Sequence, residues 1–215
     1  RAPATGKSDI TEETRHGIAI VWLDRPESGN ALTATMITAL TRALERIDAT
    51  GATRAVVVAA RGPAFCVGAE ARISDAALAK MHDTLSAMTK PTIARVHGLA
   101  AGAGIALVAA CDMAVAAHAA EFSVASASTK HVIAPPLANL VISAIGRRAA
   151  QRYLLSGEPF DASEAYRIGL VQELAPAAEL DDTINAMLGR IVDGDARVQA
   201  ATKALLREAS RTTAD

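Results

Sequence analysis

"HGLAAGAGIALVAACD", residues His97 to Asp112, is the stretch on which the fold turns. Its extended start gives way to a helix-like run at Gly102, Ala103 and Gly104. A glycine turn at such a junction lets backbone approach a ligand closely, with the helix N-terminus behind it. The segment before it, "PTIARVHG" (Pro91 to Gly98), has the apolar and β-branched content of a strand. The turn therefore lies at the carboxyl end of a strand, where open α/β sheets bind their ligands.

The same alternation extends toward the N-terminus. "HGIAIVWLD" (His16 to Asp24) suits a strand covered on both faces, and Thr33 to Thr50 places Met36, Ile37, Leu40, Leu44 and Ile47 at helical spacing before Gly51. "RAVVVAA" (Arg54 to Ala60) predicts the next strand, left by a second glycine-bearing loop, "RGPAFCVGAEA" (Arg61 to Ala71). A helix from about Asp75 to Met88 then stops before Pro91. Strand, helix, strand, helix, strand, helix predicts parallel crossover units, with both glycine loops at the ends of strands.

Toward the C-terminus, "DMAVAAHAAEFSVA" predicts short extended segments and Leu137 to Leu154 a helix. Asp161 with Glu164 has the spacing of a capping box, on a helix ending at Gly169 before a short strand. Leu180 to Ser210 predicts two amphipathic helices anchored by Leu188, Ile191, Val192, Leu205 and Leu206.

Composition narrows the function. The 215 residues are 51% hydrophobic and 21% charged, as expected of one sizeable globular core. A net charge of −1 with only 3% aromatic residues provides neither a basic stripe nor a stacking platform, which argues against nucleic acid and against a polybasic membrane patch. Cys66 and Cys111 lack metal-ligand spacing, so no metal and a reducing, cytoplasmic setting are expected. The charged N-terminal stretch and the glycine-interrupted apolar run Leu99 to Cys111 predict an untargeted protein without a membrane span.

What the turn at Gly102 to Gly104 holds is constrained by its neighbours. A dinucleotide fingerprint needs a third glycine where Leu107 stands, and a P-loop needs a lysine followed by Ser or Thr. A backbone N–H at a helix N-terminus can instead stabilise an oxygen that becomes negative during reaction. With a second N–H from Arg61 to Ala71, the two loops would form an oxyanion hole.

Taken together, "HGLAAGAGIALVAACDMAVAA", "RPESGNALTATM", "GPAFCVGAEA" and "YLLSGEPFDASEAYRIGLVQEL" resemble the crotonase (enoyl-CoA hydratase/isomerase) superfamily, in collinear order over nearly the whole chain. The resemblance implies an α/β fold of repeated ββα units in two roughly perpendicular sheets. It implies a single domain over residues 1–215, with a ββα core to about residue 150 and a helical part from about 151 to 215. It also implies homotrimers or dimers of trimers, and a substrate that is an acyl-CoA thioester, with coenzyme A entering as part of the substrate and no permanently bound cofactor. Carried over by position, the oxyanion donors would be the N–H groups of Ala69, between Gly68 and Glu70, and of Ala103, between Gly102 and Gly104. Arg25, Ala31 and Leu32 would lie against the coenzyme A nucleotide and pantetheine, and Glu70, Ala71 and Arg72 would line the tunnel.

Two positions depart from the hydratase pattern. The family's first glutamate falls on Ala106, three residues past Ala103, and the second falls on Ser126, or on Ala127 with one inserted residue. "ASASTKH" (Ala125 to His131) does not resemble the family, and the helix after the Glu70 loop is shorter than usual by roughly a dozen residues. The resemblance therefore implies carbonyl polarisation and enolate stabilisation, with a non-catalytic acyl-CoA-binding or assembly member as the alternative. A histidine such as His131 could act as a base, but a surface role is expected of it. His97 is expected to be structural, Cys66 to be buried beside its loop, and Asp112 to order the turn after Cys111. Glycine at position 102 excludes the serine nucleophile of peptidases with a related fold.

Overall fold

The structure is a computed structural model that describes residues 8–124 and 135–212. In chain order the elements are β1 (Ile10–Arg15), β2 (Ile18–Leu23), α1 (Ala34–Ala49), β3 (Ala55–Ala60), α2 (Asp75–Ala87), β4 (Thr92–Val96), β5 (Ala100–Ala101) and α3 (Ala103–Ala110). There follow β6 (Met113–Ala117), β7 (Glu121–Ser123), α4 (Pro135–Ser156), β8 (Phe160–Asp161), α5 (Ala162–Arg167), β9 (Glu173–Ala175), α6 (Leu180–Asp193) and α7 (Ala196–Thr212).

The larger sheet has the order β1-β2-β3-β4-β6-β9, parallel from β2 onward with β1 antiparallel at its edge. β3, "AVVVAA", is buried along its whole length. Its alternate residues serve two cores: Val56, Val58 and Ala60 face one, and Ala55, Val57 and Ala59 the other. That is what a continuous apolar run without polar alternation should do in a sheet covered on both faces. On the first face α1 buries Met36, Ile37, Leu40, Leu44 and Ile47, started by the Thr33 hydroxyl accepting from the Met36 N–H at 3.1 Å. On the second face α6 contributes Leu180, Ile184 and Leu188.

The smaller sheet, β5-β7-β8, is closed by aromatic packing of Phe160 against Phe122 and Tyr153, with centroids at 5.6 and 4.3 Å. The units β1-β2-α1, β4-β5-α3 and β6-β7-α4 follow a ββα order. Between β3 and α2 the second strand shrinks to single bridges, Cys66 to Ala100 and Ala69 to Leu32.

Several expectations need correction. β1 was not anticipated, because only Ile10 of "ITEETR" is buried and an edge strand needs little apolar content. Leu205 and Leu206 do not anchor α7: they are 67% and 65% exposed, so the apolar stripe of that helix faces away from this chain's own core. Asp161 does cap α5, accepting from the Glu164 N–H at 2.8 Å. The Glu164 carboxylate does not complete the box; it accepts from the Tyr153 hydroxyl and from Arg167, and the arginine above all holds it ionised down to about pH 2. α4 is broken at Gly146, whose φ of 75° no helix accommodates.

Asp112 proves to be a three-way tie. One carboxylate oxygen accepts from the Thr92 N–H at 2.7 Å, the Thr92 hydroxyl at 2.8 Å and the Lys203 ammonium at 2.7 Å. It thus joins the start of β4 to the turn after α3 and to α7. Replacing Asp112 with Ala leaves the buried Thr92 N–H without its acceptor and the Lys203 ammonium with the Lys90 carbonyl alone, and is expected to cost about 2 kcal/mol in denaturant unfolding, with Lys203→Met costing less.

Candidate active site

The site is built where the loops after β3 and β4 meet. The Phe65 and Cys66 N–H groups donate to the Leu99 carbonyl at 3.1 and 3.0 Å, and Ala101 N–H donates back to the Cys66 carbonyl at 2.8 Å. This approach depends on absent side chains. A Cβ on Gly104 would stand 2.2 Å from the Cys66 oxygen, and one on Gly98 would stand 2.1 Å from the Pro63 oxygen. Both distances are far inside van der Waals contact, so glycine is required by space at each position.

Gly102 and Gly68 are required by conformation. Gly102 has φ 52° and ψ −116°, Gly68 has φ 129°, and a Cβ on Gly102 would come 3.8 Å from Gly68 Cα. The two turns therefore stand side by side. Gly102 N–H is held by the Ser123 carbonyl at 3.0 Å, and α3 starts directly after it with no side-chain cap.

A third loop joins them. Leu32 N–H donates to the Gly68 carbonyl at 2.9 Å, and Glu70 N–H donates to the Leu32 carbonyl at 3.0 Å. In that parallel bridge the residue between, Ala69, keeps its own N–H out of the ladder. Among the described residues neither the Ala69 nor the Ala103 N–H donates to a protein acceptor. Ala103 is the first residue of α3, whose N–H has no partner within the helix by construction.

The remaining expected residues fall into four groups. Arg25 donates to the Ala31 carbonyl at 3.3 Å and to Glu70 at 2.9 Å, so Arg25, Ala31 and Glu70 form one connected edge of the site, and the Glu70 pairing raises the arginine's pKa. Ala71 and Arg72 are exposed on the turn that follows Glu70. Ala106 is fully buried one turn into α3, inside the main core. Ser126, Ala127 and His131 lie outside the described residues.

Cys66 is a buried structural thiol. Its Sγ donates to the Gly68 carbonyl at 3.4 Å, and burial pushes it up to about pH 12. Cys111 is likewise buried and raised, chiefly by burial. His97 donates from Nε2 to the Gly62 carbonyl at 2.6 Å, supporting the first loop from below. Among the described residues no group of three or more His, Cys, Asp or Glu is placed to hold a metal, and no helix is long and apolar enough to cross a membrane.

Two contributing residues carried little sequence signal. Asn30 is fully buried with φ 58°; its oxygen accepts from the Arg25 N–H, and its amide donates to the Arg61 and Ala64 carbonyls, all at 2.9 Å. It clamps the loop after β2 to the loop after β3, and the "GN" pair was the only hint of its left-handed backbone. His82 is buried on α2 with Nε2 3.3 Å from the Ala103 carbonyl oxygen. In sequence it was one more position on an apolar helical stripe.

Two sheets of ββα units, with glycine turns from adjacent parallel strands held against each other, define a crotonase-fold protein. The chain belongs to the enoyl-CoA hydratase/isomerase family, whose model matches residues 13–215. A "Probable enoyl-CoA hydratase" of Rhodobacter capsulatus is 33% identical over 207 residues, covering 90% of this chain and 79% of that relative. The crystal structure of an enoyl-CoA hydratase from Mycobacterium smegmatis superposes with a TM-score of 0.88 at 32% identity, over 97% of this chain and 88% of its own. That of a monofunctional enoyl-CoA isomerase from the same organism gives 0.84 at 31% identity, over 94% and 93%.

Two measurements check this geometry. Gly104→Ala must push the Cys66 loop away and is expected to destabilise the fold by about 3 kcal/mol, read from denaturant midpoints. A thiol held at about pH 12 by burial stays protonated at mildly alkaline pH, so neither cysteine should be alkylated in the native protein and both should be after unfolding.

Proposed function

We propose that this protein binds an acyl-CoA thioester and polarises its carbonyl oxygen between the N–H groups of Ala69 and Ala103, stabilising the enolate that develops at the adjacent carbon. The observation that carries this is the pair of unengaged amide donors on abutting glycine turns, one at a helix N-terminus, in a chain of this family. Aimed donors of this kind contribute about 3 kcal/mol each at a transition state. Arg25, Ala31 and Leu32 on one side and Gly68, Glu70, Ala71 and Arg72 on the other are the residues we assign to the coenzyme A moiety and the tunnel, with Gly102 and Gly104 shaping the turn beneath the carbonyl.

The family's names favour hydration or isomerisation of an enoyl-CoA as the reaction. Water addition by paired glutamates is disfavoured at one of its two positions, because Ala106 is buried, aliphatic and packed in the core. Glu70 is the acid beside the amide turn, and it is committed to Arg25. A non-catalytic acyl-CoA-binding role is the second possibility that Ala106 supports. We also carry a single-domain organisation, a trimeric or hexameric assembly and a cytoplasmic setting as parts of this proposal.

Two experiments test it. The conjugated absorbance of a short enoyl-CoA should fall on incubation with the protein; tight binding without that fall, at high protein concentration, would exclude hydration and favour the binding role. Ala103→Pro removes the N–H at a helix position where proline is tolerated, so the fold and the affinity for coenzyme A should survive while preference for an enolised thioester is lost. An unchanged preference in that variant would refute the oxyanion assignment.

A further inference from the structure

α2 lies against α3 and grips it at both ends through residues one turn apart. Ser86 Oγ donates to the Ala110 carbonyl at 3.3 Å, and His82 Nε2 stands 3.3 Å from the Ala103 carbonyl oxygen. The two contacts differ in kind. Ser86 is partly exposed and also donates to the His82 carbonyl of its own helix, whereas His82 is wholly buried.

Apart from the Ala106 N–H donating to the Gly102 carbonyl at 3.3 Å, a long bond, the first turn of α3 has little else to hold it. Its cap is a glycine with no side chain to bond the free N–H groups, and among the described residues His82 makes the only side-chain hydrogen bond to that turn. A peptide plane attached to glycine swivels at little cost. With the Ala103 carbonyl fixed, the helical placement of Ala103 Cα is fixed as well. The plane that carries its N–H is then held from the glycine side by the Gly102 carbonyl, which accepts from the Ala106 N–H at 3.3 Å, and by the Gly102 N–H on the Ser123 carbonyl.

The chemistry assigns the imidazole one form. A carbonyl oxygen only accepts, so Nε2 carries the proton; Nδ1 is buried without a well-formed hydrogen bond, although the Leu78 carbonyl of its own helix also faces the ring, and is the bare nitrogen. Protonating the second nitrogen would bury a charge, a cost that the Leu78 carbonyl offsets only in part. Burial accordingly drives the ring's pKa down to about 4 and keeps it neutral. An apolar residue would fill the same space on the stripe Leu78, Met81, Leu85 without any desolvation cost. What the histidine adds is the hydrogen bond.

We propose that His82 is a positioning residue for the amide donor of Ala103: its Nε2–H fixes the Ala103 carbonyl and thereby aims the Ala103 N–H at the thioester oxygen. The inference rests on the oxyanion assignment above and adds to it a side chain that touches neither substrate nor reacting atoms.

The test uses acetoacetyl-CoA, whose enolate absorbs distinctly, beside coenzyme A itself. In His82→Leu the affinity for acetoacetyl-CoA and the enolised fraction of the bound ligand should fall about tenfold, with coenzyme A affinity unchanged. His82→Gln, which can offer an N–H near the place of Nε2, should recover most of the loss. A Leu variant with the wild-type ratio of the two affinities overturns the positioning role and leaves the oxyanion assignment standing. A wild-type protein that neither enolises acetoacetyl-CoA nor prefers it to coenzyme A overturns both. Independently of any variant's folding, the ring nitrogen shifts of His82 in the wild type at neutral pH should show a proton on Nε2 alone, and a proton on Nδ1 overturns the proposal.

Discussion

The contact between Gly104 and the Cys66 carbonyl is the constraint from which the rest of the site follows. Two loops leaving neighbouring parallel strands can bring backbone against backbone only if no Cβ intervenes, and here the space for one is lacking. Once that approach is made, the Leu99, Cys66 and Ala101 hydrogen bonds lock the loops together, and Gly68 and Gly102 turn their peptides by adopting backbone that other residues resist. The amides of Ala69 and Ala103 are left outside every ladder as a result. Each piece is ordinary, and the arrangement depends on all of the glycines at once.

Much of this was legible in the sequence. The alternation of strand and helix through Ala110 was readable because β2 and β3 are nearly unbroken apolar runs and α1 repeats its apolar residues at helical spacing. The glycine turns were readable because glycine just after a strand and just before a helix has few structural explanations. The edge strand β1 was hidden by its own polarity, since a strand paired on one side shows water most of its side chains. Leu205 and Leu206 misled for the opposite reason. Apolar residues at helical spacing specify a face, and the sequence does not say whether that face meets its own core.

The supporting residues were harder to see than the turns they support. Asn30 and His82 are polar, buried and hydrogen-bonded to backbone atoms of other loops and helices, so their immediate neighbours mark them little. Asp112 did carry a local expectation, the ordering of a turn. Its larger role, reaching to Thr92 and Lys203, depended on the crossing of three elements. In each case the missing information is tertiary: which carbonyl or N–H arrives opposite the side chain once the sheets have formed.

Because the proposed donors are amides, the chemistry at this site is written in backbone rather than in side chains. An alanine scan would pass over it without a signal, since Ala69, Ala103 and Ala106 are alanine already and truncation changes none of them. Functional surveys that rank positions by the loss of a side chain would score the most consequential turn in the molecule as inert. Only changes that add something, a ring closing on a nitrogen or a methyl crowding a glycine, would bring it into view.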